Sequence, residues 1–202
     1  MRRVFLTVLL SLHILATTTY ASAQETGLYD AAPPADSAFV RVINAPAATL
    51  GSKAVTAQKG TVSSYVIVPQ GEFSAKVGAT SSKLTVEAGK FYSLALNGGK
   101  LVLLADQAAE NRAKALLTIY NLSKAPSVDL KTADGKTAVV TGVKPGASGS
   151  RAVNGIVVDL AAFDKTKSLG TLKSVKLERG NAYAVVVTDS GVTITTSSTK
   201  TK

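Results

Sequence analysis

Apolar and polar residues alternate in short runs along most of this chain. Phe73, Ala75 and Val77 alternate with Ser74 and Lys76, the period of a half-buried strand. Phe39-Val40-Arg41-Val42-Ile43-Asn44, Thr61 to Val68, Leu84 to Glu87, Phe91 to Leu96 and Lys100 to Leu104 read as further strands. Turn signals separate them: Pro69-Gln70-Gly71, Ala88-Gly89-Lys90 and Asn97-Gly98, the last a type I′ hairpin pair.

The second half repeats the plan. Leu117-Thr118-Ile119-Tyr120-Asn121 echoes Val40 to Asn44, and Arg179-Gly180-Asn181-Ala182-Tyr183 echoes the stretch from Ala88 to Tyr92. Asp134-Gly135 marks a hairpin, and Lys144-Pro145-Gly146 is matched to Pro69-Gln70-Gly71. The second copy is longer, which places an insertion around Asp164 to Gly170. Regular short strands with frequent turns predict an all-β chain of two tandem β-sandwich domains, immunoglobulin-like in architecture. A single larger sandwich fits the same pattern. The predicted organisation is a signal peptide over 1–23, an extended segment over 24–36, sandwich domains over 37–105 and 114–196, a linker over 106–113 and an unpacked tail over 197–202. The linker is the one stretch with helical composition.

The first residues modify this picture. Met1-Arg2-Arg3 is followed by an apolar run from Val4 to Ala16, and then Ala21-Ser22-Ala23. A basic start, a short apolar core and a small-x-small site predict a cleaved secretory signal, and hence a periplasmic protein. The apolar run is shorter than the roughly 20 residues a spanning helix needs. Cleavage after Ala23 removes Arg2, Arg3 and no acid, so the formal charge falls from +10 to +8. A positive field suits an anionic polysaccharide, an acidic partner or a membrane surface, and nucleic acid is not expected in that compartment. Lysines spread without a run also serve plain solubility.

Composition then excludes chemistry. The only histidine, His13, lies in the predicted signal, and the chain has no cysteine. Ser-His-Asp and Cys-His nucleophiles, Cys/His zinc sites and disulfides are all ruled out for the processed chain. The acidic residues are scattered, with no calcium-loop spacing. No catalytic, metal or cofactor residue is assigned. Phe39, Tyr65, Phe73, Tyr92, Tyr120, Phe163 and Tyr183 all fall in predicted strands. They read as core residues or tyrosines tied to a strand corner, with a sugar-stacking platform as the other use.

The stretch from Thr26 to Ala45, opening Gly27-Leu28-Tyr29-Asp30 and running into Phe39-Val40-Arg41-Val42, resembles the AlgF family of alginate O-acetylation proteins. Tyr120 to Ala125, Leu130 to Thr137, Phe73 to Gly78 and Leu177 to Gly180 resemble the same family in the same order. The resemblance implies a non-enzymatic periplasmic helper that works with separate periplasmic and membrane-bound acetyl-transfer proteins. Alginate is the leading polymer and cellulose another. A carbohydrate-binding module and a carboxylate-only enzyme are the competing readings. Leu28, Tyr29 and Asp30 are the candidate partner contacts, with docking on the chain's own domain as their other use. Arg41 joins them as an outward-pointing strand residue, facing a partner carboxylate or a surface salt bridge.

Overall fold

A computed structural model describes residues 32–197, so the predicted signal and Leu28, Tyr29 and Asp30 lie outside the described residues. Sixteen strands and no helix are present among those residues. In the first half these are β1 (Ser37–Ile43), β2 (Ala48–Leu50), β3 (Lys53–Val55), β4 (Val66–Pro69), β5 (Gly71–Val77), β6 (Thr80–Val86), β7 (Phe91–Asn97) and β8 (Lys100–Asp106). In the second they are β9 (Ala115–Asn121), β10 (Val128–Thr132), β11 (Ala138–Val143), β12 (Ala147–Val153), β13 (Val157–Asp164), β14 (Lys167–Lys176), β15 (Ala182–Thr188) and β16 (Gly191–Ser197).

The halves share one topology. The first forms sheets ordered β4-β1-β7-β8 and β3-β2-β5-β6; the second forms β12-β9-β15-β16 and β11-β10-β13-β14. In each half the first strand pairs in parallel with the seventh, β1 with β7 and β9 with β15. Ala38, Val40, Val42, Leu94 and Phe73 are among the side chains that fill the first sandwich. Leu117, Ile119, Leu130, Leu160 and Val185 fill the second. Two tyrosines mark the same corner in each copy: the Tyr92 hydroxyl accepts the Glu87 N–H at 3.2 Å, and the Tyr183 hydroxyl accepts the Glu178 N–H at 2.8 Å.

The two sandwiches belong to one compact unit. A third apolar cluster joins them: Ile43, Ala95 and Leu104 from the first half pack with Tyr120, Ala184 and Val186 from the second. The inner sheets β4-β1-β7-β8 and β12-β9-β15-β16 therefore face each other, giving four layers. Strands β9 and β15 are buried almost throughout because both of their faces are covered.

The contact is reciprocal, as in a twofold dimer whose subunits are joined in one chain. Ala95 pairs with Val102 across β7–β8, and Val186 pairs with Thr193 across β15–β16. Gly60, in the β3–β4 loop, sits against Thr193, where an added Cβ would lie 2.7 Å from the hydroxyl. Its counterpart Gly146, in the β11–β12 turn, sits against Asn97 and Val102, and an added Cβ would lie 2.8 Å from the Asn97 amide. Glycine is needed at both places for close approach and for a positive φ.

Several sequence expectations are corrected. Residues 106–113 are not helical; Asp106 closes β8, and the following residues are irregular. Ser197 is not part of a loose tail, since it is buried as the last residue of β16. Lys144-Pro145-Gly146 joins β11 to β12, whereas Pro69-Gln70-Gly71 joins β4 to β5, so the two turns are not equivalents. The extra length of the second copy is not one insertion. Strands β10 to β14 have 5, 6, 7, 8 and 10 residues, against 3, 3, 4, 7 and 7 for β2 to β6. At the Asn97-Gly98 hairpin, Gly98 and Gly99 carry the two positive φ angles that a type I′ turn needs, and Asn97 pairs with Lys100 outside them.

Candidate functional site

The densest polar cluster lies between the inner sheets. Val40 and Val42 point into the first sandwich, so Arg41 between them points to the opposite face of β1. In an isolated sandwich that face would meet water. Here it meets the second half, and Arg41 is only 3% exposed. The expectation of an outward-pointing Arg41 is therefore overturned by the layer packed over it.

Arg41 spends its donors on hydroxyls from both halves. Its Nε donates to Ser93 Oγ at 2.8 Å, and one terminal nitrogen donates to the Tyr120 hydroxyl at 2.7 Å. The other terminal nitrogen donates to Ser197 Oγ. Asp106, at the end of β8, supplies the countercharge 3.5 Å away, with its side chain also 3% exposed. Its carboxylate accepts hydrogen bonds from Tyr65 at 2.7 Å, Ser93 at 2.5 Å and Tyr120 at 2.5 Å. The guanidinium also stacks 4.5 Å from the centre of the Tyr65 ring. Tyr65 in turn meets Phe91 edge-on, and Phe91 stacks on Phe39. Every charged group thus has several partners, the condition under which a buried ion pair is tolerated.

Ionisation follows the burial. Burial acts to lower the Arg41 pKa, but Tyr120 and Asp106 outweigh it and the net shift is upward. Burial, reinforced by the Asp106 charge, raises the pKa of Tyr65 and of Tyr120 well above the ordinary value of 10.0. Hydroxyls that ionise late in the folded state stabilise it below pH 10, and that contribution is lost as pH rises further. Folding free energy should therefore fall above about pH 10, by at most about 3 kcal/mol per pH unit for two such groups. Urea titrations at a series of alkaline pH values measure this, and the Tyr65→Phe/Tyr120→Phe variant should show a shallower slope.

The chemical capacity of this cluster is small. It contains serine, tyrosine, aspartate and arginine, but Ser93 is fully buried and its oxygen is held by Arg41 and Asp106. No substrate can reach it without separating the two halves, so the cluster acts as a fastener. Several surface carboxylates are engaged locally. Glu72 pairs with Lys83, Asp129 with Lys131 and Glu178 with Lys176. Asp159 accepts the Ser174 N–H, and Asp134 caps its own hairpin. Among the described residues, no group of three or more histidine, cysteine or acidic side chains could hold a metal.

The aromatic residues divide similarly. Tyr65, Phe73, Tyr120 and Tyr183 are buried. Phe163 is half-buried on the outer face, with Lys131 Nζ 5.8 Å from its ring centre. Sequence reasoning missed Asp106, Ser93 and Ser197 as partners of Arg41. The available signal was Arg41 itself, the one charge inside the run Ala38-Phe39-Val40-Arg41-Val42-Ile43, together with Asp106 closing a second apolar run.

Comparison with known proteins bears on the whole chain. The family model described as "Alginate O-acetyl transferase AlgF" matches residues 7–184. The alginate biosynthesis protein AlgF of Pseudomonas fluorescens is 36% identical over 199 residues, covering 96% of this chain and 91% of that one. The AlgF protein of Pseudomonas aeruginosa is 38% identical, covering 85% and 82%. A solved structure of the C-terminal domain of AlgF from P. aeruginosa is 41% identical, covers 42% of this chain and 96% of that domain, and superposes with a TM-score of 0.36. With a family model spanning most of its length and relatives matched nearly end to end, this chain belongs to the AlgF family.

Proposed function

We propose that this protein takes part in the O-acetylation of alginate as a non-catalytic periplasmic adaptor, working with separate proteins that carry the acetyl-transfer chemistry. Its relatives are named for alginate biosynthesis, and its family model for alginate O-acetyl transfer. The adaptor role is carried by one observation: the cluster with the most reactive side chains is sealed between two sandwiches. The sole histidine precedes the described residues and falls within the predicted signal. Acyl transfer from a serine needs a base titrating near neutrality, and the processed chain has no imidazole to act as one.

Four stacked β layers make one compact body that offers separate surfaces to separate partners. Binding would use strand edges or surface patches, since the interior is filled. Purified protein lacking residues 1–23, incubated with acetylated alginate and with an activated acetyl ester, should neither release nor transfer acetate above the buffer rate. Sustained turnover would contradict the adaptor role and restore a carboxylate-only or serine-dependent enzyme.

A further inference from the structure

We propose that one end of the second half, where β12 turns into β13, docks a partner-protein segment carrying an apolar side chain flanked by carboxylates. The inference rests on the adaptor reading and gives it a place on the molecule.

A cleft of about 330 Å³ opens there along the seam between the edge strands β11 and β12. Leu117, Val139, Leu160 and Leu177 line it, and Lys114 and Arg151 stand among its polar residues. Ile156 also lines it and is 50% exposed; Val157, next to it, is 67% exposed. Exposed large apolar side chains beside an apolar cleft are the usual mark of a binding surface.

The repeat supplies the control. Glu87 and Glu178 each give their N–H to a corner tyrosine, which aligns Val86 with Leu177. Gly71 pairs with Val86, and Ile156 accepts the Leu177 N–H. Gly71 and Glu72 of the first half therefore occupy the positions of Ile156 and Val157. The fold carries glutamate at the position of Val157 in one copy, so it does not require valine there; Gly71 answers to its own φ of 100°, a demand that Ile156, half exposed, does not share.

Charge selects the occupant. Arg112, Lys114, Arg151 and Arg179 gather at this end. An added Cβ on Gly180 would lie 3.6 Å from the Arg112 carbonyl, and one on Gly155 would lie 3.0 Å from Arg179 Cγ. Among the described residues none of these four cations is in an ion pair, and Glu178 nearby is held by Lys176 at 2.7 Å. Lys114 is anchored by Asn154 at 2.5 Å, and Arg151 by the Ala138 and Val139 carbonyls at 3.0 and 3.1 Å. A cationic rim around an apolar anchor pocket fits an acidic segment with an apolar tip. A polyuronate fits the rim but not the floor, which offers aliphatic side chains and no aromatic ring to a sugar.

The test imports the sister copy's residues as Ile156→Gly/Val157→Glu, which removes two exposed apolar side chains that lie outside the core of the second sandwich. Random twelve-residue peptides are selected on the purified protein and counter-selected on this variant. Enriched peptides should combine an apolar residue with Asp or Glu, and should bind the variant roughly tenfold more weakly or worse. Enrichment of basic peptides, binding indifferent to the substitutions, or displacement of the peptides by an alginate oligosaccharide would each overturn the proposal. In cells making the polymer, the variant should lower its acetyl content to that of the deletion strain, with an unchanged melting temperature. Normal acetylation by the variant alongside loss in the deletion strain would sink this surface and leave the adaptor reading standing. Normal acetylation in the deletion strain would sink both.

Discussion

Arg41→Met should lose about 3–5 kcal/mol of folding free energy, the cost typical of removing one partner from a buried ion pair. Asp106 would keep its hydroxyl donors but lose the charge that balances it, and Ser93, Ser197 and Tyr120 would each lose a donor. Urea unfolding followed by far-ultraviolet circular dichroism measures the effect in a chain without tryptophan. Arg41→Met/Asp106→Leu removes both charges and should recover part of the loss, because no lone charge is left in the interior. A loss below about 1 kcal/mol for the single variant is the range of an exposed ion pair, and would mean that Arg41 reaches water.

Tyr120→Ala should be of similar size, about 3–5 kcal/mol by analogy with other large aromatic truncations. It removes a fully buried ring from the cluster that joins the halves, and with it the hydroxyl between Arg41 and Asp106. Tyr120→Phe keeps the ring and should cost about 1–3 kcal/mol, isolating the polar share. The larger variant carries a second signature. Each half has its own core, so weakening the cluster between them should resolve one unfolding transition into two. A single transition at an unchanged midpoint would contradict the joining role. Arg41 and Tyr120 touch, so their effects should not add.

The strands and the repeat were legible in the sequence because they rest on local signals. Alternation at Phe73, Ala75 and Val77 places β5, and Tyr92 and Tyr183 sit at the same corner of each copy. What lies between the sandwiches was not legible. A strand with one face in a core reads as having its other face in water. Arg41 lies on that other face, and Ser197 of β16 likewise looks like part of a solvent face in sequence. Only the packing of one inner sheet on the other turns these residues inward. The one-charge runs around Arg41 and Asp106 were the trace of it, and pairing them requires knowing that β1 and β8 share a sheet. The mismatch between the two Pro-Gly turns has a related cause. Turn chemistry reports a local reversal of the chain, and not which strands the turn joins.

The exposed pair Ile156 and Val157 was legible only by comparison of the two copies, which needs the registers of β5–β6 and β13–β14. The polar groups with the strongest interactions fasten the halves, and the accessible surface lies at the ends and edges of the sandwiches.

Acetyl content of the exopolysaccharide, measured in cells with the gene deleted and again after its return, tests the adaptor role most directly. Deletion should leave polymer still made but stripped of acetyl groups, with full restoration by the wild-type chain. Acetylation undiminished by deletion would contradict it.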